Sequence, residues 1–303
     1  MEQITRNVYV ETGNRGCNPG FVVTSEGIVI VDSPQRPTDA LKFREEVLKR
    51  GEIKFLINTE HHIDHWSGNY FFDAIFVAHQ GTREGIERIW AKQVAFDEEC
   101  KKLKITDPGY KPEFDRNSIG IPIKERIKII DPDYALQMEP YTAKLPTITF
   151  EKRMKLYVGN HSFELIHLPG HTPTVTAVFI PQERVVFTGD NIFHKVQTFL
   201  HESLPMDWLK SLDYLQQLEV DYLVPGHGHV CSKDYLEEQA SFIRKWVASV
   251  KEAVNKGWSM EEARERISFL DDYPMGEGLK GLGKELQKMN VSRLYHLIMA
   301  GEI

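Results

Sequence analysis

The 303-residue sequence predicts an α/β (α+β) fold, two β-sheets packed face to face with helices outside, followed by a helical C-terminal extension. Three observations carry this. Strand-like runs followed by helical periods occur in the first half of the chain. The same succession returns in the second half. Beyond Lys233 only helical periods remain, and no internal repeat or low-complexity tract appears.

The elements follow in order. "GFVVTSEGIVIVDSP" reads as two β-branched strands around a Ser-Glu-Gly turn, a hairpin. "TDALKFREEVLKR" is a helix capped by Thr38 or Asp39 and ended by Gly51. "KFLINT" and "AIFVAH" are strands, and Gly81 to about Lys104 is helical. From Ile105 to about Pro146 the periodicity fades into Pro, Asp and Tyr, and a stretch that long is expected to be a functional lid. Strands resume with "TITF", "MKLYV", "SFELIHL", "VTAVFI" and "RVVFTG". The amphipathic helix "PMDWLKSLDYLQQLEV" carries Trp208, Leu212, Leu215 and Leu218 on one stripe, and "DYLVPGHGH" closes this half with a strand. In the extension, Tyr235, Gln239, Phe242, Trp246, Val250 and Val254 line one face of a long helix. Ser259 with Glu262 forms a capping box, and "NVSRLYHLIMAG" is a short last helix.

Composition narrows the function. Hydrophobic content of 41% and charged content of 27% suit a soluble enzyme. The balance of 37 − 44 = −7, without any Lys/Arg run, argues against a nucleic-acid partner. Cys17, Cys100 and Cys231 are odd in number and form no CxxC pair, which disfavours a disulfide framework or a cysteine zinc site and fits a reducing compartment. "MEQITRNVYVETG" has no apolar signal core, and no stretch is long enough to span a bilayer. A cytoplasmic protein acting on a small molecule, without membrane or nucleic-acid partners, is expected.

The chemistry is concentrated in "TEHHIDHWSGN", Thr59 to Asn69. Glu60, His62, Asp64 and His65 on a tight loop after a strand can aim at one point, and imidazole with carboxylate suits zinc, iron or manganese. A polar loop that happens to hold histidines is the bland alternative. Three further segments weigh against it: "LPGHT" places His171, "FTGDN" Asp190 and "VPGHG" His227 at strand ends, each beside a glycine that lets the backbone turn sharply.

The row, "PGHT", "TGD" and "PGHG", in this order over roughly Asn18 to His227, resemble the metallo-β-lactamase superfamily of binuclear metallohydrolases. The resemblance implies a four-layer αββα sandwich with the site at one edge between the sheets. It implies a catalytic domain over 1–232, with the insert at about 105–146, and an extension over 233–303. Glu60, His62 and His171 would hold one of two divalent ions, most simply zinc. Asp64, His65 and His227 would hold the other, and Asp190 would bridge them. A hydroxide between the metals would be the nucleophile, oriented by Asp64, so Asp64 and Asp190 are the catalytic candidates.

Glu60 departs from the family pattern H-x-H-x-D-H. Sliding the register to His61 would put Ile63 and His65 where a histidine and an aspartate are needed, so Glu60 is the aligned residue. Ligation through its oxygen would favour iron or manganese. Loss of one metal, or His61 swinging in, are the alternatives, and ligation is the reading taken.

Asp32, ending "IVIVD", is the acid expected to brace the ligand loop. Trp66, His194, Lys195 and His201 are candidates for substrate contact, against a plain loop reading. His167 reads as a packed core residue, His79 as structural or bracing, His229 as a loop residue, and His161 and His296 as non-functional. Trp90, Phe96, Tyr110, Phe114, Tyr134 and Tyr141 would wall an aromatic pocket if the insert covers the metals, or pack the insert itself. The C-terminal helices would narrow the pocket or form a homodimer face.

The expected reaction is hydrolysis of a small ester, lactone, thioester or phosphoester. An iron-dependent oxidoreductase on the same scaffold and a ligand-binding effector with secondary hydrolysis are the competing classes. Metal content and turnover separate them.

Overall fold

The computed structural model describes residues 1–102, 121–135, 141–276 and 278–303. Among these, the first sheet runs in chain order: β1 (Glu2–Gln3), β2 (Val8–Val10), β3 (Gly20–Thr24), β4 (Gly27–Val31), β5 (Ile53–Asn58), β6 (Ile75–His79) and β7 (Ile148–Phe150). It is antiparallel through β4 and parallel beyond it. The β3–β4 hairpin pairs Thr24 with Gly27 around Ser25 and Glu26. The parallel pairs need crossovers. These are α1 (Pro37–Leu48), the ligand loop with α2 (Ile63–Trp66), and α3 (Gln80–Lys102) followed by α4 (Ile123–Ile130) and α5 (Pro132–Ala135).

The second sheet contains β8 (Arg153–Val158), β9 (His161–His167), β10 (Thr176–Ile180) and β11 (Val185–Phe187), with β13 (Tyr222–Val224) parallel to β11 at its edge. Between β11 and β13 lie β12 (Phe193–His194) and α6 (Pro205–Gln217). After β13, β14 (His227–Gly228) pairs with β12 in parallel. The chain ends in α7 (Tyr235–Asn255), α8 (Met260–Arg266) and α9 (Gly283–Met299).

Period-two alternation explains the layering. Val29 and Val31 of β4 face Phe163, Leu165 and Val178 of the second sheet, forming the inter-sheet core. Ile28 and Ile30 point the other way, onto Ala40, Phe43 and Val47 of α1. Each such burial is worth about 1.5–3 kcal/mol, so a one-residue register slip would empty both faces at once. On its outer face the second sheet gives Ile166, Ala177 and Val186 to the same apolar cluster as Trp208 of α6, Trp246 of α7 and Leu294 of α9. No described helix is long and apolar enough to cross a membrane.

Three local expectations change. Helix α1 starts from Arg36 with Pro37 in its first turn, and Thr38 instead gives its hydroxyl and amide to the Asp131 carboxylate at 2.8 and 2.9 Å. The described part of the insert is partly helical, with no regular element over 141–146: Pro122 stands at the N-terminus of α4, whose Ile123 and Ile127 are buried, and α5 follows. The last helix begins at Gly283 rather than near Asn290, because Leu286 and Gln287 are already buried in it. The remainder of the expected lid lies outside the described residues.

Candidate metal centre

The ligand row leaves the end of β5 and is fastened from three sides. The Asn58 side chain and the Ser33 amide both donate to the His65 carbonyl, at 2.9 and 3.0 Å. Asp32, at φ 56° just past β4, accepts from the Thr59 amide at 2.7 Å and the Thr59 hydroxyl at 2.6 Å. Its Oδ2 also takes the His65 Nδ1 proton at 2.9 Å. With Nδ1 so occupied, His65 turns Nε2 toward Asp190 Oδ1, 3.2 Å away.

The other strand ends converge on this loop. His171 donates from Nδ1 to the Phe199 carbonyl at 2.6 Å, leaving Nε2 to face His62 Nδ1 at 3.1 Å and Asp190 Oδ2 at 3.5 Å. Asp190 sits in the 3₁₀ turn Gly189–Asn191 beyond β11. His227, in β14, places Nε2 3.2 Å from Asp190 Oδ2 and 3.4 Å from Asp64 Oδ2. Gly189, at φ 52°, does provide a turn for which glycine is suited. Gly170 and Gly226 serve a different purpose: a Cβ would lie 2.2 Å from Asn191 Oδ1 at the first and 1.8 Å from Asp190 Oδ1 at the second. They admit the neighbouring side chain rather than a sharp turn.

Two donor groups result. Glu60, His62, His171 and Asp190 offer atoms all within 4.8 Å of one another, and so do Asp64, His65 and His227. Four donors about 2.1 Å from a tetrahedral ion stand about 3.4 Å apart. In the first group the separations are 3.1 Å for Glu60–His62, 3.1 Å for His62–His171 and 3.9 Å for Glu60–His171. Both Glu60 oxygens, His65 Nε2 and Asp190 Oδ1 are buried without a hydrogen-bond partner among the described residues. Atoms so placed would be costly to leave unmatched. Divalent metal ions fit the donor chemistry, the spacing and the orphaned atoms.

The electrostatics agree. Burial alone would push His62 down, but Glu60 and Glu202 raise it to about 10; Asp190 and Asp64 raise His227 to about 10 in the same way. Asp64 and Asp190 are held well below the carboxylate range, despite burial, by the imidazoles around them. Cations therefore balance the carboxylates, and a metal entering the cluster would displace imidazole protons.

The remaining candidates separate clearly. His201 lines the cavity over the metal ligands and stacks on His62 at 5.0 Å, and burial lowers it to about 3, so it is neutral at pH 7. Trp66 is fully buried among Ile86, Ile123 and Tyr141, its indole donating to the His61 carbonyl at 2.8 Å; it supports the loop from beneath and does not reach the cavity. His194 packs edge-on to Tyr235, and Lys195 pairs with Glu238; neither lines the cavity. His167 is half-buried rather than packed in the core, stacked on His79 at 4.1 Å. His161 pairs with Glu183 at 2.8 Å, while His229 and His296 are exposed.

The aromatic wall does not form from the expected residues that are described. Trp90, Tyr134 and Tyr141 pack with Ile123 and Ile127 of α4, while Tyr110 and Phe114 lie outside the described residues. A cavity of about 220 Å³ above the donors is lined instead by aliphatic side chains, including Leu282, Leu286 and Met289 from the C-terminal segment, and by cations. The charged residues of this lining nearest the donors were not singled out from sequence. Glu202 accepts from His61 Nε2 at 3.0 Å, and Arg15 and Arg126 stand near Asp64. Nothing local marked Glu202 or either arginine.

Comparison with known proteins decides the family. The profile described as Metallo-beta-lactamase superfamily matches residues 12–227. The chain belongs to that superfamily. A linear primary-alkylsulfatase of Pseudomonas sp. (strain ATCC 19151) is 24% identical over 276 residues, covering 82% of this chain and 49% of its own length. The chain thus spans about half of that relative. A metallo-beta-lactamase type 2 of Elizabethkingia meningoseptica is 24% identical over 243 residues, covering 75% and 78%. Among solved structures, a metallo-beta-lactamase family protein of Thermus thermophilus superposes with a TM-score of 0.65 at 18% identity, covering 99% of this chain and 95% of that one. Members of the superfamily and this chain share the mixed α/β sandwich; the C-terminal helices fall beyond the matched profile.

Proposed function

We propose that the protein is a metal-dependent hydrolase of a small ester, lactone, thioester, phosphoester or sulfate ester, the last added because of the alkylsulfatase relative. The observation that supports it most is the pair of donor groups joined at Asp190 on the floor of a cavity. Glu60, His62 and His171 would hold one divalent ion, Asp64, His65 and His227 the other, and Asp190 would touch both. Bound there, such ions supply Lewis acidity to the scissile bond and lower the pKa of water toward neutrality.

The chain's own groups do the positioning. Asp64 reaches the cavity with its carboxylate ionised, as His227 and His65 offset the cost of its burial, so it can accept a proton-bearing hydrogen bond from an attacking water. His201, neutral and in the cavity wall, can hydrogen-bond a substrate oxygen without adding charge. Asp32 and the Phe199 carbonyl fix the tautomers of His65 and His171, so both present Nε2 inward. The turn before α9 and α9 itself close one side of the cavity through Leu279, Leu282, Leu286 and Met289, and the protein works as one catalytic unit over 1–232 with this extension as its cover.

The test is elemental analysis of the purified protein, followed by a screen of nitrophenyl esters, lactones, thioesters, phosphoesters and alkyl sulfates. Two divalent metals per chain with turnover abolished in Asp64→Asn supports the reading. A protein that takes up no metal after reconstitution sinks it.

A further inference from the structure

We infer that Asn290, on α9 of the C-terminal extension, is a positioning residue for His171 and acts on it through a single peptide group; its bearing on function rests on the metal-site reading of the first donor group. His171 donates from Nδ1 to the Phe199 carbonyl at 2.6 Å. The N–H of that same peptide group belongs to Leu200 and donates to Asn290 Oδ1 at 2.7 Å. A planar trans peptide points its C=O and its N–H in opposite directions. Holding the N–H on one side therefore sets where the carbonyl points on the other. His171, fixed through Nδ1, then turns Nε2 toward His62 and Asp190. Hydrogen bonds linked in this way also polarise one another, so the grip on the N–H strengthens the carbonyl as an acceptor for His171.

The segment needs such support. Residues 197–200 lie between β12 and α6 in no helix or strand, yet Gln197, Thr198 and Leu200 are buried. Buried backbone without a ladder must find its partners elsewhere. Asn290 supplies two of them, accepting from the Leu200 amide and donating from Nδ2 to the Thr198 carbonyl at 2.8 Å. It thus brackets Phe199 from both sides. The side chain has no exposed surface, and only one orientation of its amide satisfies both bonds. For packing alone, a buried asparagine inside a helix is a poor choice.

The competing account is that the extension merely packs against the catalytic part. Phe193 and Trp208 do hold the His171 ring edge-on, at 5.3 and 5.7 Å between centroids. Those contacts fix the plane of the ring but not which nitrogen carries the proton; the carbonyl decides that. Gln287, one turn earlier on α9, is a control built into the chain. It is buried too, accepts from the Phe269 amide at 2.6 Å and donates to Gln197 Oε1 at 3.1 Å. Neither of these bonds reaches the 199–200 peptide. The extension, which lies beyond the matched residues 12–227, in this way takes part in holding a metal donor as well as in covering the cavity.

The experiment uses the full chain and two readouts. In metal-free protein carrying isotope-labelled histidine, the ring-nitrogen resonances report the His171 tautomer, assigned by comparison with His171→Gln. A calorimetric zinc titration then gives the stepwise affinities. Asn290→Leu should turn the single Nδ1–H tautomer of His171 into a mixture and lower one zinc affinity by about tenfold, the lower end for a lost outer partner. Asn290→Ala removes the same two bonds with less crowding and is read in the same way should the Leu variant not fold. Gln287→Leu should lower the unfolding midpoint while leaving tautomer and affinities as in the wild type. A single tautomer retained in a folded Asn290 variant, or an equal change in Gln287→Leu, overturns the inference. The tautomer is read without metal and without turnover, so the two conclusions fail separately. A mixed tautomer in the Asn290 variants of a chain that takes up no metal leaves the positioning of His171 standing and sinks the hydrolase reading. Metal-dependent turnover with an unaltered tautomer in those variants does the reverse.

Discussion

Asp32 Oδ2 stands 2.9 Å from Nδ1 of His65, and this contact decides which nitrogen of the histidine faces the donor cluster. The same carboxylate holds the start of the ligand loop through Thr59. Asp32→Asn keeps the size of the side chain and tolerates the left-handed backbone at φ 56°, but its amide presents a single acceptor and a donor where two acceptors are needed. Metal affinity at the His65 group should fall about 10–100-fold, a usual cost of losing such a partner, while the far-ultraviolet circular dichroism stays unchanged. Competition titration with a chromogenic chelator reads the loss; undiminished affinity would mean that the loop holds His65 without Asp32.

Glu60 makes the first donor group carry two carboxylates and two imidazoles, with both Glu60 oxygens buried and unmatched by hydrogen bonds among the described residues. Oxygen donors favour harder ions, imidazole the softer ones. Glu60→His should therefore raise the ratio of zinc to manganese taken up from an equimolar mixture severalfold, without lowering the total metal per chain. Mass spectrometric metal counting checks it. A falling total would show that the carboxylate's charge, not its identity as an oxygen donor, keeps the first ion in place.

The site was far more legible in the sequence than the pocket above it. Residues able to act as metal donors sit here on fixed backbone close to strand ends, so they leave short local signatures, and Glu60, His62, Asp64, His65, His171, Asp190 and His227 are brought together from such signatures. The alternation of Ile28 to Val31 likewise declares two buried faces. The pocket wall has no local signature. Arg15, Arg126 and Met289 meet only because a hairpin loop, the insert and the last helix converge, and chain separation hides that. Trp66 illustrates the opposite error: it stood among the candidates for substrate contact, but one step along α2 from His65 its side chain packs with Ile86 and Ile123.

Gly226 is required by proximity. A methyl group there would lie 1.8 Å from Asp190 Oδ1 and 2.9 Å from the Asp190 amide nitrogen, and backbone cannot yield as a flexible side chain does. Gly226→Ala should displace Asp190 from between the two donor groups. Overpacking of this kind costs about 1–3 kcal/mol, and metal per chain should drop together with the midpoint of denaturant unfolding. Gly257→Ala is the control for a glycine with open space around it, although its φ of 74° adds backbone strain. It should lower the midpoint without touching metal content.

Glu183 gives a pH-dependent stability term remote from the donors. It accepts from Asn7 Nδ2 at 2.7 Å, from the Thr5 hydroxyl and from His161 Nε2 at 2.8 Å, tying the strand-β2 approach to the second sheet. Burial alone would raise this carboxyl, but these donors outweigh it and hold it below its ordinary 4.5. A depressed folded-state value means that the folded protein binds the proton less readily than the unfolded chain. The stabilisation is therefore fully present above about pH 4.5 and is lost as the pH falls through the folded value. Glu183→Gln should cost about 1–2 kcal/mol at pH 7, in keeping with loss of hydrogen bonds to a charged group. The gap between wild type and variant should narrow as urea unfolding is repeated at successively lower pH below that point. A gap that stays constant with pH would assign the cost to packing of the amide rather than to the carboxylate's charge.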